Sequence, residues 1–150
     1  MSQSVLTHPT WVDIQKSVGY ISAKMMRMGG HPRHIIGLCR GGLIPAVMMS
    51  HMTEIPVIPI SYSSKEGEGE NQSYENCLPG LGDVDSQILI IDDICDSGKT
   101  MDEVASEYMN RGHKVITAAL YYKEGAVWCP DFYWQKIPAD SPWILFPWEM

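Results

Sequence analysis

The stretch Ile88-Leu89-Ile90-Ile91-Asp92-Asp93-Ile94-Cys95-Asp96-Ser97-Gly98-Lys99-Thr100 decides how the rest of the chain is read. Four apolar residues in a row fit a strand buried on both faces, as in a parallel sheet. They run into two adjacent carboxylates, and a short polar turn then opens a helix with Met101, Val104, Ala105, Tyr108 and Met109 on one face. Thr100 and Glu103 are spaced as a capping box, and Gly112 stands where a helix stops. Ser97, Gly98, Lys99 and Thr100 offer backbone N–H groups, two hydroxyls and an ammonium at a helix N-terminus, which is a cradle for phosphate. Asp92 and Asp93 at the same mouth suit sugar hydroxyls or the water shell of Mg²⁺. Gly98-Lys99-Thr100 also resembles the end of a P-loop. That motif needs a glycine six residues before its lysine, and the residue there is Asp93. The plain alternative is an acidic strand end followed by a capped helix.

Outward from this stretch, strand and helix alternate. Thr10 to Met28 reads as a helix, with Trp11, Ile14, Val18, Ile21, Met25 and Met28 at three- and four-residue steps and Thr10/Asp13 as a capping box. Ile35 to Cys39 is a short buried strand, and a helix follows from Leu43 to about Met52. Pro56 to Tyr62 is a strand that Pro59 places near an edge. Ser63 to Ser86 is polar and aperiodic, a loop length usually functional or disordered. Val115 to Tyr122 is a further strand, and the remainder reads as an irregular cap. The pattern predicts an α/β domain with a mostly parallel sheet flanked by helices. Ligands in such sheets bind beyond the carboxyl ends of the strands, here the loops after Cys39 and Ile91.

The chain has 150 residues, 45% of them apolar, and a formal net charge of −7. One domain over 1–150 is the natural reading, with a real core. The acidic balance disfavours nucleic acid and anionic membranes as partners. No apolar stretch approaches the roughly 20 residues of a membrane helix. The start, Met1-Ser2-Gln3-Ser4, lacks the basic and apolar regions of a secretory leader. Cys39, Cys77, Cys95 and Cys129 form no Cys-x-x-Cys pair, so reduced thiols in the cytoplasm are expected and a structural zinc site is not.

Two other segments carry chemistry. Cys39-Arg40-Gly41-Gly42 follows a strand and precedes a helix. Its glycines let the backbone approach a ligand, and Arg40 brings a forked donor for phosphate oxygens. A plain turn with a surface arginine is the simpler alternative. Near the end, Lys123 and the Trp-rich segment Ile137-Pro138-Ala139-Asp140-Ser141-Pro142-Trp143-Ile144 can bind a planar base by stacking and donation. From composition alone, core or interface aromatics and a solvated lysine are the favoured reading, since aromatics mostly pack.

An apolar strand, two acids and Asp-[Ser/Thr]-Gly-x-Thr resembles the phosphoribosyl-pyrophosphate (PRPP) signature of type I phosphoribosyltransferases. Arg40-Gly41-Gly42-Leu43 resembles the pyrophosphate loop of the purine-salvage members. Lys123…Ile137-Pro138-x-Asp140…Trp143-Ile144-x-x-Pro147-Trp148-Glu149 is similar to the bacterial xanthine-guanine branch, as is Thr10-Trp11-x-Asp13. The matches run from about Thr10 to Met150. The resemblance implies transfer of phosphoribosyl from PRPP to N9 of a 6-oxopurine, with Mg²⁺ as cofactor and a homodimer or homotetramer as the working form.

Carried over residue by residue, Asp92 and Asp93 serve the ribose hydroxyls and the metal. Asp96, Ser97, Gly98, Lys99 and Thr100 hold the 5′-phosphate. Cys39, Arg40, Gly41 and Gly42 hold pyrophosphate across a peptide that is often cis. Lys123 reads O6, Trp143 stacks, and the Ile144 backbone reads the 2-position. Asp96 and Arg40 are the catalytic candidates. A mobile loop is expected at about 63–86 and a base-binding hood at about 123–150. A phosphoribosyltransferase for another base, or a PRPP-sensing protein without catalysis, are the alternatives. The family's mobile loop usually carries basic residues, whereas Glu66 to Ser86 has none. Nine of the 18 acids lie between Glu66 and Gly98 with no Lys or Arg among them. A polyanion binding there is therefore expected to depend strongly on Mg²⁺.

Overall fold

The computed structural model describes residues 7–64, 78–83 and 85–150. Most of the expected mobile loop, with Lys65 and Cys77, lies outside the described residues. Helix α1 spans Trp11–Arg27 and opens on the expected capping box. The Asp13 N–H donates to Thr10 Oγ1 (3.2 Å), and the Thr10 N–H donates to Asp13 Oδ2 (2.8 Å). Its stripe buries Ile14, Val18, Ile21 and Met25. Trp11 and Met28, at the two ends of that stripe, are exposed, and Trp11 lies against Trp148 instead.

The strands are β1 (His34–Cys39), β2 (Val57–Ser61), β3 (Gln87–Cys95), β4 (Lys114–Lys123) and β5 (Phe132–Ile137). They form one sheet in the order β2-β1-β3-β4-β5 with every pairing parallel. Pro59 sits on the edge strand β2, where a missing donor costs least. Helices α2 (Leu43–Thr53) and α3 (Lys99–Asn110) complete the crossovers.

Side-chain alternation divides the core. Leu89 and Ile91 of β3 face a cluster with Ile14, Val18, Ile21, Met25, Ala46 and Met49 from α1 and α2. Ile88 and Ile90 face Val104, Ala105 and Tyr108 from α3 on the other side. A strand buried on both faces reads as a continuous apolar run, which is why 88–91 stood out.

Three expectations need correction. Strand β3 does not stop at Ile91 but runs through both carboxylates to Cys95. Its register with β4 continues, pairing Asp92 with Ala119, Ile94 with Tyr121 and Cys95 with Tyr122. Thr100 and Glu103 form no capping box, because α3 already begins at Lys99 after an N-cap Gly98 with φ of 82° and no side-chain cap. The C-terminal segment is irregular only in part. Phe132–Ile137 joins the sheet beside β4, burying just Phe132 and Ile137 at its ends. A 3₁₀ turn at Pro147–Glu149 ends the fold.

Candidate active site

The chain reverses its winding between β1 and β3, which are neighbours in space but not in sequence. The carboxyl ends of two such strands leave a crevice for ligand. Both motif loops meet there. The Cys39–Arg40 peptide is cis, and the Gly42 N–H donates to Leu38 O at 2.9 Å to turn the chain into α2. A β-carbon on Gly42 would meet Leu38 O at 2.6 Å, Ile91 O at 2.7 Å and Asp92 Cα at 2.9 Å, all backbone. One on Gly41 would meet Asp93 Cγ at 2.5 Å, with Oδ2 nearer still. The two glycines thus let the arginine loop close on the acid pair.

Asp92 and Asp93 are adjacent on β3, a side-chain hydrogen bond links their carboxyls, and each also bonds locally. Asp92 Oδ1 accepts from the Asp93 N–H (2.9 Å), and Asp93 Oδ1 accepts from the Ile94 N–H (2.7 Å). Burial pushes both carboxyls above the ordinary range. The charge of Asp93 adds to the rise at Asp92, and that of Glu149 to the rise at Asp93. Glu149 received no role from the sequence. The 3₁₀ turn returns it to the crevice, its Oε2 accepting the Phe146 N–H at 2.9 Å. The signal available was Pro147 followed by an acid two residues on, a tight turn with its own internal cap.

Three cavities line the crevice, the first sharing residues with each of the other two. The first, about 220 Å³, is lined by Asp93, Ile94, Asp96, Lys123, Ile137, Ser141, Trp143, Ile144, Phe146 and Glu149, with Pro142 at its rim. The second lies over the turn from Asp96 to Thr100 and is lined by Asp92, Asp96, Ser97, Gly98 and Thr100. The third, about 620 Å³, is lined by Arg40, Gly41, Asp93, Trp148 and Glu149. Asp96 belongs to the first and second, and Asp93 to the first and third. Cys39, Gly42 and Lys99 line none of the three; Gly42 is buried beneath the crevice, and Lys99 opens α3.

In the first cavity Lys123 Nζ lies 3.1 Å from Asp96 Oδ1. This pairing follows from adjacent strands ending side by side, and residue spacing alone does not reveal it. Trp143 is 76% exposed, with an open ring face, whereas Ile144 and Phe146 are buried. Cys95 is a packed thiol: burial pushes it up to about 12, and its Sγ donates to Trp128 O at 3.3 Å.

No three His, Cys, Asp or Glu side chains among the described residues surround a common point. Asp93 and Glu149 line the first and third cavities together, and Asp92 opens on the second; Asp93 and Glu149 are hard oxygen donors whose mutual repulsion a cation would relieve. Mg²⁺ commonly takes one or two carboxylates and fills the rest with water and substrate phosphate. The residues present fit that pattern.

The chain belongs to the phosphoribosyltransferase family: the profile of the phosphoribosyl transferase domain matches residues 10–150. Among its relatives, xanthine-guanine phosphoribosyltransferase of Gluconobacter oxydans (strain 621H) is 31% identical over 144 residues, covering 93% of this chain and 82% of that protein. The enzyme of the same name from Cereibacter sphaeroides (strain ATCC 17025 / ATH 2.4.3) is 31% identical over 150 residues, covering 95% and 86%. The crystal structure of purine phosphoribosyltransferase from Pyrococcus horikoshii Ot3 superimposes with a TM-score of 0.79 at 32% identity, covering 95% of this chain and 93% of that one.

Proposed function

We propose that this protein transfers the 5-phosphoribosyl group from PRPP to N9 of a 6-oxopurine, releasing pyrophosphate. The observation that carries this is the junction of three cavities at Asp93 and Asp96. A phosphoribosyl group has three arms, a 5′-phosphate, a base and a leaving pyrophosphate, and the crevice has three matching pockets. The relatives named for xanthine and guanine support the same acceptor class.

In this reading the 5′-phosphate sits on the turn Asp96 to Thr100 at the start of α3, where Gly98 is the N-cap and Ser97 Oγ accepts the Lys99 N–H at 3.3 Å. Asp92 and Asp93 hold the ribose hydroxyls. Arg40 and Gly41 line the pyrophosphate pocket, and Cys39 and Gly42 hold the loop from behind. The C1′–O bond to pyrophosphate breaks as N9 bonds to C1′, and the electron pair departs with pyrophosphate. Arg40 and loop amides stabilise that developing charge. Asp93, with Glu149 beside it, would hold Mg²⁺, which when bound supplies charge neutralisation on the phosphate oxygens.

Lys123 and Asp96 place a donor beside an acceptor, 3.1 Å apart. A 6-oxopurine presents O6 and N7 along one edge. Lys123 donates to O6, and Asp96 accepts the proton carried at N7 as N9 is alkylated. Adenine carries a donor in place of O6, which would face the lysine. Trp143 closes over the ring and the Ile144 backbone lies at its 2-position. We also propose a homodimer or homotetramer, since α2 exposes Val47 and Met52, and action in the cytoplasm; no helix of the described residues is long and apolar enough to cross a membrane.

The test is pyrophosphate release from PRPP and Mg²⁺ with xanthine, guanine, hypoxanthine, adenine and uracil in turn. Turnover with at least one 6-oxopurine and none with adenine or uracil is expected. Silence with all three 6-oxopurines refutes the proposal. Binding of PRPP without turnover on any base would instead establish a sensor.

A further inference from the structure

The β4–β5 connection lies against the phosphate turn. The Val127 N–H donates to Ser97 O at 2.8 Å. Carbonyl and amide point opposite ways across a planar trans peptide. Fixing Ser97 C=O toward Val127 therefore sends the Gly98 N–H the other way. Gly98 has φ of 82°, and a β-carbon there would meet Trp128 N at 2.6 Å and Val127 N at 3.1 Å. On its other flank, Trp128 O accepts from Cys95 Sγ at 3.3 Å. The Trp128 backbone thus touches the phosphate turn on both sides.

What holds Trp128 is a compact polar knot on β4. Its indole Nε1–H donates to Thr117 Oγ1 at 3.1 Å. Thr117 is fully buried. Its N–H and its hydroxyl both donate to Asp131 Oδ2, at 2.8 and 3.1 Å, and Oγ1 accepts the Asp131 N–H at 3.1 Å. The knot fixes both ends of the short segment 128–131, and the ring packs against the core on the α3 side.

We infer that Trp128 is a positioning residue for the 5′-phosphate: its indole, anchored on Thr117 within the Thr117–Asp131 knot, holds the Val127–Trp128 backbone against Ser97 and Gly98 and sets the direction of the turn's amides. The inference rests on the proposed placement of the 5′-phosphate at Asp96 to Thr100. It assigns to the phosphate side a segment that the sequence had grouped with the base-binding hood.

Two variants cut the anchor from opposite ends. Trp128→Phe keeps a ring and removes the indole donor, and Thr117→Val keeps the buried shape and removes the hydroxyl. Each is expected to raise KM for PRPP roughly three- to tenfold, the scale of one lost hydrogen bond. KM for the purine and kcat stay within about twofold at saturating PRPP, as expected for a loss of uniform binding. The double variant should rise no further than the larger single one, since both remove the Trp128–Thr117 bond and only Thr117→Val also removes the hydroxyl's two bonds with Asp131. A general loss of stability would instead lower the melting temperature and active fraction without this split. Unchanged KM for PRPP in both variants overturns the inference, as does a double variant whose effect is the product of the singles. A wild-type protein that neither binds nor turns over PRPP overturns the parent reading instead.

Discussion

Gly41 offers a sharp test of the crevice. Gly41→Ala would place a methyl 2.5 Å from Asp93 Cγ. Ordinary carbon–carbon contact is about 3.5–4.0 Å, so the carboxylate must retreat by roughly 1 Å or more. It is a side chain and can swing, at a cost of about 0.5–1.5 kcal/mol if forced off its rotamer. The swing also threatens the 2.7 Å bond from the Ile94 N–H to Asp93 Oδ1, worth a further ~0.5–1.5 kcal/mol. A fold of this size loses only about 2–4 °C of melting temperature per kcal/mol. The protein therefore folds, but the carboxylate proposed to hold Mg²⁺ is displaced. Perturbing the surroundings of metal ligands typically weakens metal affinity about 10–100-fold. A titration of initial rate against Mg²⁺ at fixed PRPP should show a half-saturation shift of that order, with a modest fall in melting temperature. Gly42→Ala is the control, because its methyl meets only backbone and no side-chain rotation relieves it; a large loss of soluble protein is expected. Normal Mg²⁺ dependence in a stable Gly41→Ala protein would refute the reasoning that Asp93 must stay where it is.

Asp93→Asn should stabilise the ligand-free protein near neutral pH. Burial raises both carboxyls of the acid pair, so their contribution is fully present below the unfolded value and is lost as pH rises through the raised folded one. Removing one charge relieves that loss, and a melting curve of the variant above wild type at pH 7, with activity abolished, is the expected result. Lys123→Ala should raise KM for 6-oxopurines by about tenfold or more and blunt discrimination against adenine, as for any unpaired recognition group; unchanged base preference refutes its O6 role. Asp96→Asn should lower kcat by about 10²–10⁴, the usual span for a lost general base, and a normal kcat removes it from proton transfer. Cys95 is held protonated by burial, so mass-mapped alkylation at pH 8 should label exposed Cys129 long before Cys95; equal rates would contradict that packing.

Local chemistry made the two motif loops readable. Ile88 to Ile91 is apolar without interruption because both of its faces are covered, and Gly98 and Gly41-Gly42 stand where backbone must come close. Non-local pairing hid the rest. Carboxylates disfavour strands, yet pairing of Asp92, Ile94 and Cys95 with β4 keeps them extended. Strand β5 lies on an edge with half-buried Tyr133, Trp134 and Gln135 between its two buried ends, so no clean alternation marks it. The capping box at Thr100 failed because Gly98, at positive φ, starts the helix two residues earlier. The Asp96–Lys123 pair, the return of Glu149 and the Thr117–Asp131 knot each join segments far apart in sequence, and one sequence carries no record of such register.

The strand order has a thermodynamic meaning. The loop proposed for pyrophosphate leads into α2, which covers one face of the sheet, and the turn proposed for the 5′-phosphate leads into α3, which covers the other. A substrate spanning both is a cross-link between the two layers through the central β1–β3 seam. Ligand at a hundredfold excess over its dissociation constant adds about 2.7 kcal/mol to folding. Here that increment falls on the pairing that unites the layers, so amide exchange should slow along both central strands together.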